Sequence, residues 1–152
     1  MEPAAHEWLC TQIIDGTGDA VIFADRDGII RLWNGGAERI FGYTAAEAIG
    51  ASLDLIIPEN LRQRHWDGYH RAMATGHTRY GAGDMLAVPA LHKDGHRLSI
   101  EFSIAMVRQG DEVIGVGAIM RDVTARWHQE RELRARLAKL EAAVSGTERG
   151  SV

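Results

Sequence analysis

The sequence predicts an α+β domain: a five-stranded antiparallel sheet with short helices across one face and a helix at each end. Three observations lead there. Two hydrophobic alternations flank Asp27-Gly28, which is a hairpin signal. Three more strand-like segments follow residue 84, separated by Asp94-Gly95 and Gln109-Gly110-Asp111. Segments with helical periodicity lie before, between and after these two groups.

Residues 5–15, AHEWLCTQIID, set Trp8, Leu9 and Ile13 on one side of a first helix, which Gly16 and Gly18 stop. In AVIFADRDGIIRLWN, Val21 and Phe23 alternate before the turn, and Ile30 and Leu32 after it. Asn34 is placed to cap a short helix, GGAERIFG. Thr44 with Glu47 three residues on has the capping-box pattern for another. LDLIIPEN is a connector, and Pro58 opens a longer helix from about Asn60 to Thr75, closed by Gly76. Pro89 in MLAVPALHK predicts an edge or bulged strand. HRLSIEFSIAMV and EVIGVGAIMRDV supply the last two strands. Thr124 is placed to cap a final helix over 125–144, in which Leu133, Leu137, Leu140 and Val144 follow the 4-3-4 spacing of a short coiled-coil seam. The organisation expected is therefore a helix over 1–15, a domain over 16–124, a helix over 125–144 and a fraying polar tail over 145–152.

Composition narrows the function. The chain has 152 residues, 45% apolar and 25% charged, which suits one domain with a real core. Its net charge of −4, with His neutral, gives no electrostatic case for nucleic acid. No apolar run reaches membrane-spanning length, and the N-terminus has no signal-peptide pattern. The single cysteine, Cys10, has no disulfide partner within the chain and is expected half-buried on its helix. Together these favour a cytoplasmic setting with no membrane partner. No nucleophile elbow, P-loop or zinc spacing is present, so the domain is not expected to be an enzyme.

The motif order resembles that of the PAS family. Asp25, Gly28, Asn34, Phe41, Gly42, Tyr43, Glu47 and Gly50 match the family's opening in sequence, HKDGHRLSIEFSI resembles its Lys-Asp-Gly hairpin, and GAIMRDVTARW resembles its Arg-Asp-Val-Thr ending. The resemblance spans roughly residues 15–127. It implies a PAS fold and a sensory role in which occupancy of a pocket is relayed through Arg121-Asp122-Val123-Thr124 into the exit helix, toward an unknown downstream signalling partner. PAS domains hold haem, flavin, small organic ligands or nothing. The light-sensing flavin branch carries a reactive cysteine on the helix before the long one, and NGGAERIFG has none.

Resemblance to the haem-binding oxygen-sensor branch implies haem b, with His65 as the iron ligand. Counting from Pro58 gives His65 at the ligand position; counting back from Asp94-Gly95 through Tyr69 gives Trp66. The same resemblance puts Leu86, with Met85 beside it, where those sensors use a distal Arg, and Phe102 and Ile104 among apolar distal residues. Leu86 offers no hydrogen-bond donor, so carbon monoxide is expected to bind better than oxygen, and Met85 is a candidate sixth ligand. Gly115 and Gly117 alternate on the last strand and are expected to make room for a flat ligand. The alternative is a PAS module without haem, its pocket empty or holding a small apolar ligand or flavin, acting in dimerisation. Apolar stripes on the first and last helices predict a homodimer in either case.

Overall fold

The computed structural model describes residues 1–81 and 84–149. Its elements run α1 (Pro3–Gly16), β1 (Ala20–Asp25), β2 (Ile30–Trp33), α2 (Gly35–Phe41), α3 (Ala45–Ala48), a 3-10 turn (Leu53–Ile56), α4 (Glu59–Thr75), β3 (Leu86–Leu91), β4 (Arg97–Gln109), β5 (Glu112–Asp122) and α5 (Thr124–Arg149). The five strands form one antiparallel sheet in the order β2-β1-β5-β4-β3. The β1–β2 hairpin and the β3–β4–β5 meander therefore meet at the β1–β5 pair, and Pro89 sits on edge strand β3, where its missing N–H costs least.

Local chemistry accounts for the connections. Asp25 Oδ1 accepts the amides of Asp27 at 3.0 Å and Ile29 at 3.1 Å, which closes the β1–β2 turn. Asn34 Oδ1 accepts Ala37 N at 2.9 Å and so caps α2. The Thr44–Glu47 capping box is complete, and Gly42 and Gly76 end α2 and α4 in the left-handed region. The connector after α3 winds into a 3-10 turn capped by Ser52.

The core lies between one sheet face and α2, α3, the 3-10 turn and α4. Ile22, Ala24, Ile30, Trp33, Leu98 and Ile100 meet Ala37, Phe41, Ala48, Leu53, Ile56, Tyr69 and Met73 there, all buried. Burial of large side chains such as Phe41 and Ile100 supplies the main stabilising term.

Residues 1–122 and 123–152 form two separate compact units. In the second, α5 continues through Arg149, whereas the tail from 145 was expected to fray. Thr147 Oγ1 donates to Ala143 O at 2.9 Å across the expected break, and a single helical glycine such as Gly146 costs only about 1 kcal/mol. Residues 150–152 of the expected tail lie outside the described residues. Trp127 N donates to Val123 O at 2.8 Å, so the helix begins at Thr124, one residue before the expected start at 125, and Val123 rather than Thr124 takes the capping position. Along α1 no residue is buried: Trp8 and Ile13 are more than 60% exposed and Leu9 is 38% exposed. Cys10 is exposed too, not half-buried, because α1 presents that side to solvent.

Candidate functional site

The site grows from α4. Its Tyr69 and Met73 are buried, so this helix lays one side on the sheet. Tyr69 fixes the orientation: its hydroxyl donates to Asp25 O at 2.5 Å and lies 3.2 Å from Ala24 O at the end of β1. Burial raises the Tyr69 phenol well above its ordinary value, and the Asp25 and Asp27 charges add to that. At the other end of this region, Arg26 donates to Val113 O at 2.5 Å and Met73 O at 3.2 Å, tying α4 to β5.

Trp66 turns toward the β1–β2 turn. Its indole N–H donates to Asp54 Oδ1 at 2.7 Å. Its ring covers Gly28, where a β-carbon would come within 2.1 Å of the ring. Gly28 also has φ +74°, so two independent reasons hold this position to glycine. Exposed His70 stacks on the indole at 5.8 Å. Trp66 is thus occupied by structural contacts on both sides.

His65 is different. Its ring lies 4.7 Å from that of Trp66 and 5.7 Å from that of Tyr69. Its Nδ1 is buried and has no hydrogen-bond partner. Burial lowers its pKa, as does His70 nearby, against an opposing pull from Asp54. Neutral imidazole is therefore favoured, and its Nδ1 is buried without a partner. Buried polar atoms are nearly always paired, so an orphan of this kind calls for an explanation. A neutral imidazole with an unpaired nitrogen is also the chemical form that ligates a metal.

On the sheet, Leu86 pairs with Phe102, Phe102 with Met120, and Ile104 with Ala118. Paired residues share a face, and alternation from Leu98 and Ile100 puts Phe102 and Ile104 on the face the helices cover. Phe102, Met106, Val116 and Met120 are partly buried against the core there. Met85 precedes β3 and is 65% exposed, so it is not brought to that face. Gly115 and Gly117 pair with Asp25 and Phe23, one residue out of step with Ala24 and Ile22. They lie on the opposite face, where the Phe23 ring would stand 2.6 Å from a β-carbon at Gly115. At Gly115 the space is taken by Ala24 O and the Phe23 ring, while at Gly117 the nearest atoms are Ala105 O and Val107 Cγ2, both 3.8 Å away.

Sequence reading passed over Asp54 as a partner of Trp66 and Arg26 as a strap. Nothing in the sequence pairs residues twelve or eighty-seven positions apart, so neither contact had a local signal. His77 is exposed, and His92 and His96 flank the β3–β4 turn. Among the described residues, no helix is long and apolar enough to cross a membrane.

Comparison with known proteins agrees with this architecture. The family model described as the PAS fold matches residues 14–128. Sensor protein FixL of Bradyrhizobium diazoefficiens is 34% identical over 126 residues, 83% of this chain and 24% of that protein. Oxygen sensor protein DosP of Escherichia coli is 28% identical over 115 residues, 76% of this chain and 14% of that protein. The crystal structure of a PAS domain from Colwellia psychrerythraea superposes with a TM-score of 0.67 at 24% identity, covering 80% of this chain and 98% of that one. The chain thus spans a quarter or less of the length of these curated relatives. A family match over most of the chain, with the five-stranded antiparallel sheet and its one helix-covered face, establishes that this chain belongs to the PAS family of sensory domains.

Proposed function

We propose that this PAS domain is the sensing module of a signalling protein and that it holds haem b through His65, so that gas or redox state at the haem is relayed into α5. One observation carries the reading: the buried, unpartnered Nδ1 of a His65 held neutral by its surroundings. Likeness to an oxygen sensor protein over three quarters of the chain supports it.

Bound haem would supply an iron centre whose ligation and oxidation state respond to gases and redox conditions. The residues of this chain do the rest. His65 offers a neutral nitrogen lone pair from a helix anchored by Tyr69. Phe102 and Ile104 present hydrocarbon and exclude water. Leu86 donates no hydrogen bond, so a ligand that needs one gains no support from it. Arg121, three residues before α5, is held to Asp19 by a paired contact of 3.1 and 3.2 Å, and this junction is the proposed relay element. The experiment is a haemin titration of the purified chain followed by absorption. A saturable Soret band at about one haem per chain is expected, as one site requires; a featureless linear rise contradicts the reading.

A second reading rests on a different observation. Leu133, Leu137, Leu140 and Val144 are all more than half exposed on α5, at coiled-coil spacing. A PAS module that works by dimerisation, with its pocket empty or holding a small apolar ligand or flavin, would use this seam in the same way. The haemin titration separates the two readings, whereas association does not, because both expect a homodimer.

A further inference from the structure

The β3–β4 turn carries a second constellation that the sensing site does not use. In His92-Lys93-Asp94-Gly95-His96, one ring nitrogen from each histidine and one Asp94 oxygen lie within 4.8 Å of one another. We propose that this turn binds a borderline divalent transition ion, of the Zn2+ or Ni2+ class, through His92, Asp94 and His96, with water completing the shell.

The geometry carries the argument. His92 Nδ1 stands 3.2 Å from Asp94 Oδ1. A tetrahedral zinc with bonds of about 2.0–2.1 Å holds its ligand atoms about 3.3 Å apart, so this pair already has the required span. His96 Nδ1 reaches the same Oδ1 more closely. The two imidazole rings stack at 4.6 Å, 22° from parallel, and both bring Nδ1 toward that one oxygen.

Hydrogen bonding alone does not settle this arrangement. Asp94 N donates to His92 Nδ1 at 3.2 Å, which uses that nitrogen as an acceptor. Its lone pair then also faces a carboxylate oxygen, and two lone pairs at that distance repel unless a cation stands between them. A proton on Nδ1 would relieve the repulsion within this one pair, whereas a single ion engages all three side chains at once. A metal ion takes both lone pairs, and the amide, in an exposed turn, turns to water.

The site is also held ready. The His92 ring packs on Gly42 at the end of α2, where a β-carbon would come within 2.6 Å of it. Lys93 N bonds Phe41 O at 2.9 Å, which seats the turn on α2. The Lys93 ammonium, inside the same turn, is engaged by Glu47 Oε2 at 2.6 Å. Two imidazoles and one carboxylate select for zinc, nickel or copper over magnesium and calcium, which prefer all-oxygen shells.

The test uses the full chain without a polyhistidine tag and with Cys10→Ser, because Cys10 Sγ lies 3.6 Å from His6 Nε2 and could hold zinc separately. Calorimetric titration with ZnCl2 should show a single saturable site, and MgCl2 should show none. His92→Ala and His96→Ala should each weaken zinc binding about tenfold or more, as loss of a metal contact does. Unchanged affinity in both variants overturns the proposal. Should a substitution disturb the hairpin, amide shifts in the unsubstituted turn decide: zinc must move the signals of residues 92–96, and shifts confined elsewhere overturn it.

Discussion

The indole N–H of Trp66 bonds Asp54 Oδ1 at 2.7 Å, and that bond fixes which side of α4 the indole occupies. The ring then closes over Gly28, whose φ of +74° and absent side chain both serve the contact. Gly28→Ala should destabilise the domain by about 1–3 kcal/mol, the usual range for a side chain forced into that backbone region. Urea unfolding measures it. The same substitution in a Trp66→Ala background should cost less, because the clash with the ring is gone; equal costs in both backgrounds would separate Gly28 from Trp66.

Among the described residues, Asn34 is the one buried polar or charged side chain, 3% exposed, and all its valences are used. Its Oδ1 accepts Val21 N at 2.8 Å and Ala37 N at 2.9 Å, and its Nδ2 donates to Ile14 O at 2.7 Å and Asp19 O at 3.0 Å. Asn34→Ala strands several of these groups and should cost about 3 kcal/mol. A loss near that of an exposed cap, under about 1 kcal/mol, would show that water replaces the amide.

His65 makes stability depend on pH in a defined direction. Burial lowers its pKa in the folded chain below the ordinary 6.5. The unfolded chain binds the proton first as pH falls, so stability from this group is present above about 6.5 and is lost on acidification below it. Urea midpoints at about pH 7.5 and 5.5 should therefore differ more for the native chain than for His65→Leu. Equal differences would mean that the imidazole is solvated in the folded state.

The stripe on α5 predicts association. Leu137 is 56% exposed and stands in the middle of the Leu133–Leu140 seam. The native chain should sediment as a dimer, and Leu137→Glu should shift it toward monomer, since a charge in a seam is poorly tolerated. A monomeric native chain at high micromolar concentration, or an unchanged mass in the variant, contradicts this.

Much of the fold was legible because its signals are local. The cap of Asn34 on Ala37, the Thr44–Glu47 box and the Asp27-Gly28 turn act within a few residues, Pro89 marks its own strand as an edge, and each does what its chemistry dictates. The site was legible only in part. Alternation tells which residues of β5 share a face, but not which face the helices cover, so Gly115 and Gly117 were expected beside Phe102 and lie across the sheet from it. Counting along α4 left His65 and Trp66 open. What separates their environments is contact with Gly28 and Asp54, residues remote in sequence. Met85 looked like a neighbour of Leu86 in function, yet β3 begins only at Leu86, so Met85 stays outside the sheet.

The most direct measurement is an absorption spectrum of His65→Gly after haem loading, with and without added imidazole, beside the native chain and His70→Ala. The account predicts a Soret band in the native chain and in His70→Ala, its loss or marked shift in His65→Gly, and its return when imidazole fills the space left by the side chain. A Soret band that is absent from the native chain, or that survives His65→Gly unchanged, contradicts the assignment of His65 as the haem ligand.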